Sequence, residues 1–190
     1  ITYFCAPTLE ALMKNVGLAV DQTIVYPYPL EDSLICVAKM SAIPPVAAPS
    51  ISSLNSMRSD GQAFARRYSE VCTQLRSIFK AWTIEGKRAA IFGAGHLAAK
   101  FINLYSLSEY VDCVIDDNPH KQDLLMPGSR LAILGSASLE TRAIDICLLS
   151  LNPESEQKVL AKNRLFTERG GQFLSIFALG SKSVYGLAAP

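Results

Sequence analysis

The residues best spaced to do chemistry lie in IFGAGHLAAKF, residues 91–101. Gly93, Ala94 and Gly95 interrupt an apolar run, and Ala98 completes the spacing G-x-G-x-x-A between a strand-like and a helix-like segment. In such a turn the first glycine permits the tight bend and the second lets a phosphate approach the backbone. The small third residue lets helix and strand pack closely. The amides at the helix N-terminus then face an anion. Asp116 and Asp117 end the next apolar run, about 20 residues on, where a carboxylate can take a ribose hydroxyl. His96 and Lys100 are within reach of a phosphate or sugar at the turn, although a first-turn histidine and a solvated helix lysine are the plainer readings. The loop DDNPHKQ gathers Asp116, Asp117, Asn118, Lys121 and Gln122 at the crevice edge where open α/β sheets bind ligands. The same residue types are also ordinary turn formers. A glycine turn is needed for packing in any doubly wound sheet, so ligand binding and a purely structural turn both stand. No hydride-transfer acid or base accompanies the turn, which disfavours a redox enzyme. No catalytic residue is assigned, and two histidines without a His/Cys cluster leave no basis for a metal site.

Elements that could position this turn are legible from periodicity. Leu9, Leu12, Met13 and Val16 predict a helix over 8–16, with Gly17 as its stop. Alternating, β-branched stretches predict strands over 19–26 and 33–40, joined through the Pro27/Pro29 turn as an antiparallel hairpin. Residues 42–61, rich in Pro, Ala and Ser, read as a linker. A helix is predicted from Asp60, as N-cap, to Thr83, with Phe64, Tyr68, Val71, Leu75, Ile78, Phe79 and Trp82 on one stripe and Gly86 as stop. Beyond Lys87 the pattern alternates. Strands are expected at 88–93, 111–116, 143–150 and 172–177, with a short extended stretch in RLAIL. Helices are expected at 96–107, around 137–141 and at 154–168. Nearly all-apolar strands joined by helices imply a mainly parallel sheet covered on both faces, a Rossmann-like three-layer α/β sandwich. The domain division expected is 1–41, a linker over 42–61, and a Rossmann-like domain over 62–190.

With 18 basic and 17 acidic residues the net charge is +1. That leaves no field to attract nucleic acid or an anionic membrane. No apolar run approaches the roughly 18 residues of a membrane span, and no signal peptide is visible. The five cysteines, without a C-x-x-C pair, read as small buried residues in a reducing compartment, which suggests a cytoplasmic protein. The chain starts at Ile1 in what reads as mid-structure, the expectation for a piece of a longer protein.

Several segments together resemble the class I S-adenosylmethionine-dependent sugar C-methyltransferases. Gly86-Lys87, Gly93-Ala94, Asp116 to Gln122, Pro127-Gly128, Leu131 to Ile133 and Gly170-Gly171 match the motifs of that family's C-terminal domain, over about residues 62–178. Tyr3-Phe4, the helix at 8–16 and the two strands look like the end of the family's methyltransferase domain. The resemblance implies that 1–41 is the tail of that domain and that 62–190 helps hold a nucleotide-sugar or related phosphorylated substrate. S-adenosylmethionine is implied as cofactor of the parent enzyme. Its glycine motif, and a Glu-His pair, are expected upstream of Ile1, so that this chain alone would be inactive. Its own N-terminal methyltransferase domain is the implied partner. The hairpin, without a parent sheet, would be covered by a second copy in a homodimer. The segment GHLAAK departs from the family, in which many relatives carry Ser/Thr and Lys-Gly after the turn. Lys100 is the residue left to serve as that lysine. The alternative is a non-catalytic Rossmann-like module that binds NAD(H) or a nucleotide.

Overall fold

A computed structural model describes residues 4–28, 32–41, 51–177 and 182–187, with the side chains of 51–54 and 153 outside that description. The expectations for Ile1 to Tyr3, for Pro29 in the hairpin turn and for linker residues 42–50 therefore lie outside the described residues. The chain divides into two compact units, Ile1–Arg67 and Tyr68–Pro190.

In the first unit, helix α1 (Ala6–Asn15) carries a proline in its first turn, where the missing N–H removes no helical bond. Gly17, at φ +83°, turns the chain out of the helix. Strands β1 (Leu18–Tyr26) and β2 (Ser33–Met40) pair antiparallel, from Leu18 opposite Met40 to Tyr26 opposite Ser33. The register shifts between Val20 and Gln22, so Asp21 is the bulged residue. The Thr23 hydroxyl donates to Glu10 Oε1 at 2.8 Å and ties the hairpin to α1. Val25, Tyr26, Ile35, Val37 and Met40 remain exposed.

Helix α2 (Ile51–Ile84) starts well before Asp60, so residues 51–61 of the expected linker are helical and Asp60 is not a cap. The reason lies in the proline positions: Pro49 is the last proline before Pro119, and nothing after it removes a helical donor. The expected stripe is buried only in its second half. Leu75, Ile78, Phe79 and Trp82 are in the core, whereas Phe64 is 68% exposed.

The second unit is built on a five-stranded parallel sheet: β3 (Ala89–Phe92), β4 (Val111–Ile115), β5 (Ile133–Leu134), β6 (Ile146–Leu149) and β7 (Gln172–Ser175). The spatial order is β5-β4-β3-β6-β7. Successive side chains alternate between two cores. Ile91, Val114, Leu148 and Leu174 join the α2 stripe together with Phe101 and Ile102 of α3 (His96–Leu104). Phe92, Ile115, Cys147 and Phe173 pack with Leu139 of α4 (Ser138–Thr141) and with Phe166 of α6 (Arg164–Glu168). Core strands with no polar face are what a parallel sheet covered on both sides requires.

Between Ala89 and Ala90 the β3–β4 register shifts, setting Val111 opposite Ala89 and Cys113 opposite Ala90. Asp112 falls in that shift, and its carboxylate binds both Arg88 and Arg142. Burial would raise this carboxyl, but the two guanidinium groups hold it below its ordinary value.

Several expected elements are shorter than the sequence implied. The expected strand 143–150 spans only Ile146–Leu149, because Ala143 adopts φ +49° and Ile144 bonds back to Leu139. Strands end at Phe92, Ile115 and Ser175, and α3 ends at Leu104 before Ser106 at φ +53°. The expected helix 154–168 is two helices, α5 (Pro153–Lys162) and α6. The break is at Asn163, whose backbone leaves the helical region at φ −109° and ψ 44°; its backbone N–H and its side-chain amide both donate to the Val159 carbonyl, at 3.1 and 2.9 Å. Cys113 and Cys147 are buried as expected, but Cys5 is exposed, because it sits at the N-cap of α1 and not in a core strand.

Candidate functional site

The strand order reverses direction between β3, which is followed through α3 by β4 on one side, and β6 on the other. In open α/β sheets the crevice outside the carboxyl ends of two such strands is where ligands bind. The turn Gly93-Ala94-Gly95 leaves β3 at that point, and Ser150 to Asn152 leave β6 beside it.

The two glycines do different work. Gly93 is at φ +104°, and a Cβ there would lie 2.6 Å from Leu151 Cδ2 and 2.9 Å from Ser150 Oγ. The fold itself therefore demands glycine at 93. Gly95, the N-cap of α3, is extended at φ −116°, and a Cβ there would meet nothing within 4 Å. The fold makes no such demand at 95, and space is open above the helix N-terminus. Ala98 is fully buried against the sheet, in the close-packing role that the motif gives its small third residue. His96, exposed, begins α3, and Lys100 follows one turn later, half-buried; both are already engaged by interactions within the protein.

Asp116 follows β4 and organises the turn. Its Oδ2 accepts from the Ala94 amide at 2.9 Å and from Lys121 Nζ at 2.9 Å, and its Oδ1 accepts from the Asn118 amide at 2.9 Å. Burial pushes this carboxyl up, but Lys121 first, then the Asn118 and Ala94 amides, hold it below its ordinary value. Asp117 accepts from the Ser136 amide at 3.0 Å and from Lys162 at 2.7 Å, and is held low against burial in the same way. Asn118 Oδ1 accepts from the His120 amide at 3.0 Å, and Gln122 Nε2 donates to the Asp116 carbonyl at 3.1 Å. The structure thus brings Asp116, Asn118, Lys121 and Gln122 together, and through Ala94 it joins them to the glycine turn. Asp117 points the other way, toward β5 and α5.

These contacts bear on a cofactor. A nucleoside ribose, whether of S-adenosylmethionine or NAD(H), needs carboxylate oxygens turned outward at the end of the second strand. Three of the roughly four acceptor positions of the Asp116 carboxylate are taken by the protein itself, and its side chain is 14% exposed. The residues present do not fit ribose recognition by this carboxylate.

Sequence reasoning did not find Ser150. It is 4% exposed, and its hydroxyl lies 2.8 Å from both the Phe92 and the Gly93 carbonyl oxygens, to which it donates, closing β6 onto the turn. The available signal was a serine ending an all-apolar strand just before Asn152, whose side chain caps α5 through the Ser155 amide at 2.8 Å. A cavity of about 340 Å³ lies elsewhere, along β7 between Glu156, Thr167, Phe173 and Lys182, and no residue of the glycine turn or of 116–122 lines it. Burial raises the Glu156 carboxyl there, in spite of a 2.8 Å hydrogen bond from the Ser175 hydroxyl. Among the described residues no helix is long and apolar enough to cross a membrane.

Comparison with known proteins gives two kinds of result. UDP-D-quinovosamine 4-dehydrogenase from Vibrio fischeri is 22% identical over 49% of this chain and 80% of its own, with a TM-score of 0.39. RSP, a Rex-family repressor, is 18% identical over 53% of this chain, with a TM-score of 0.39, and the matched part spans about half, 52%, of the repressor's length. Likenesses this distant carry nothing about ligand or activity. No curated protein sequence matches the chain. Residues 54–177, most of the chain, match the family described as the C-methyltransferase C-terminal domain, and to that family the chain belongs.

Proposed function

We propose that residues 62–190 are the substrate-holding module of an S-adenosylmethionine-dependent sugar C-methyltransferase, which grips the phosphates of a nucleotide-sugar at the switch point between β3 and β6. One observation carries this reading: Gly95 has no steric or backbone reason to be glycine, yet stands where a phosphate would approach the α3 amides. His96 and Lys100 flank that position. In this reading S-adenosylmethionine and the methyl transfer belong to the parent enzyme's methyltransferase domain. Residues 1–41 are the tail of that domain, and the protein works in the cytoplasm. Bound in that domain, S-adenosylmethionine would supply the methyl group for a carbon of the sugar. The module's part is to fix the sugar by its diphosphate end, and no residue of this chain is given a bond-making role.

Calorimetric titration of the chain with UDP-glucose, dTDP-glucose, NAD+ and S-adenosylmethionine tests it. Binding of a nucleotide-sugar that Gly95→Ser weakens at least tenfold, with the fold intact, is the expected result. Preference for NAD+ would favour the nucleotide-sensing alternative, and binding of none would reduce the turn to a structural device.

A further inference from the structure

We propose that Lys121 is a specificity-determining residue of this crevice: its ammonium, held at the turn by Asp116, replaces ribose recognition with phosphate recognition. The inference rests on the substrate-holding reading above.

Lys121 Nζ and the Ala94 amide share one oxygen, Asp116 Oδ2, each at 2.9 Å. The ammonium therefore lies within twice that distance of the glycine turn. An ammonium has three N–H donors, and the side chain of Lys121 is 40% exposed. One donor holds Asp116, which leaves two on a side chain that is partly exposed. The Lys121 amide also bonds to the Asn118 carbonyl at 3.0 Å, which fixes the backbone beneath the side chain. The edge of the crevice where a dinucleotide site presents a bare carboxylate thus presents ammonium N–H donors on a backbone held in place, in an ion pair that is neutral as a whole. Such an edge offers donors to a diphosphate and leaves a ribose diol at most one of the roughly four acceptor positions of Asp116. Lys162, by contrast, is paired with Asp117, which is bonded to Ser136 and not to the turn, and serves as the internal control.

The experiment uses the full chain and titrates UDP-glucose, inorganic pyrophosphate and NAD+ into the wild type, Lys121→Met, Lys121→Arg and Lys162→Met, with thermal unfolding of each variant run in parallel. Expected are at least a tenfold loss of UDP-glucose and pyrophosphate affinity in Lys121→Met, recovery of most of it in Lys121→Arg, and less than a twofold change in Lys162→Met. NAD+ is expected to bind more weakly than UDP-glucose to the wild type. If the wild type binds UDP-glucose and Lys121→Met, still folded, binds it equally well, the assignment of Lys121 is overturned while the substrate-holding reading survives. A wild type that prefers NAD+ also overturns it. If the wild type binds none of the three probes, the substrate-holding reading falls and this assignment with it.

Discussion

Replacing each glycine of the turn in isolation separates what the fold needs from what a ligand needs. Gly93→Ala puts a side chain on a backbone at φ +104°, where a non-glycine residue costs about 1–3 kcal/mol. Its Cβ also meets Leu151 Cδ2 at 2.6 Å and Ser150 Oγ at 2.9 Å, in a packed region where overfilling costs about 1–3 kcal/mol. Loss of unfolded-state freedom returns about 0.4–1 kcal/mol. The net expectation is a destabilisation of about 1–5.6 kcal/mol, a sizeable part of the roughly 5–15 kcal/mol of a typical domain. With a urea slope of about 1–3 kcal/mol/M, a loss of about 3 kcal/mol, the middle of that range, lowers the midpoint by about 1–3 M. Gly95→Ser, by contrast, introduces a preferred N-cap residue at an extended φ with open space around its Cβ, and stays within about 0.5 kcal/mol of the wild type. Urea unfolding followed by far-ultraviolet circular dichroism measures both. A Gly93→Ala protein within 1 kcal/mol of wild type, or a Gly95→Ser protein as damaged as Gly93→Ala, refutes the assignment of the two glycines to different roles.

Ser150→Ala removes a hydroxyl donor shared between the Phe92 and Gly93 carbonyls, each of which keeps a backbone N–H donor at 2.9 Å, so the expected cost is about 0.5–1.5 kcal/mol by the same unfolding assay. Trp82→Ala is expected to cost about 3–5 kcal/mol, since its ring is buried and packs 4.8 Å from Phe79, whereas Phe64→Asp on the exposed half of α2 leaves stability unchanged. Stability is also pH-dependent at two carboxylates, in opposite senses. Asp116 titrates below its ordinary value in the folded chain, so its contribution is present above the unfolded pKa of about 3.9 and is lost as pH falls through the folded one. The stability gap between wild type and Asp116→Asn should therefore close on acidification below about pH 4. Glu156 titrates above its ordinary value, so its neutral form is the one the fold favours, and that contribution is lost as pH rises through the folded pKa. Glu156→Gln should be more stable than wild type at pH 7 and equal to it below about pH 4.

What the sequence disclosed and what it hid follow from the range of the interactions. The sheet was legible because AAIF and ICLL are apolar throughout and VDCVI is apolar but for Asp112, a pattern suited to strands buried on both faces. The glycine turn was legible because its constraint is local, and the φ of Gly93 bears it out. The start of α2 was misread because Ser and Asn between 52 and 56 look like linker composition, while the decisive property was the missing proline. The break at Asn163 is a single residue's departure from helical backbone angles, which composition does not resolve. Ser150 and the Arg88-Asp112-Arg142 group were hidden because their partners are many residues away and meet only once the parallel register is set.

The acidic residue after β4 illustrates why a motif match does not by itself name a ligand. Spacing alone put Asp116 where a carboxylate could read a ribose, and the structure keeps it at that place beside the turn. The interactions that surround it decide its chemistry. Lys121, five residues on, neutralises the carboxylate, and the Ala94 amide consumes one of its oxygens from the side of the turn. An acid so occupied braces the glycine turn and leaves ammonium donors, in place of free carboxylate oxygens, at the edge of the loop. The same Asp in a loop without Lys121 would present a negative edge and suit a different ligand. The discriminating feature of DDNPHKQ is therefore the pairing of its first residue with its sixth, a contact across one loop turn that occupies the carboxylate and sets an ammonium beside the glycine turn.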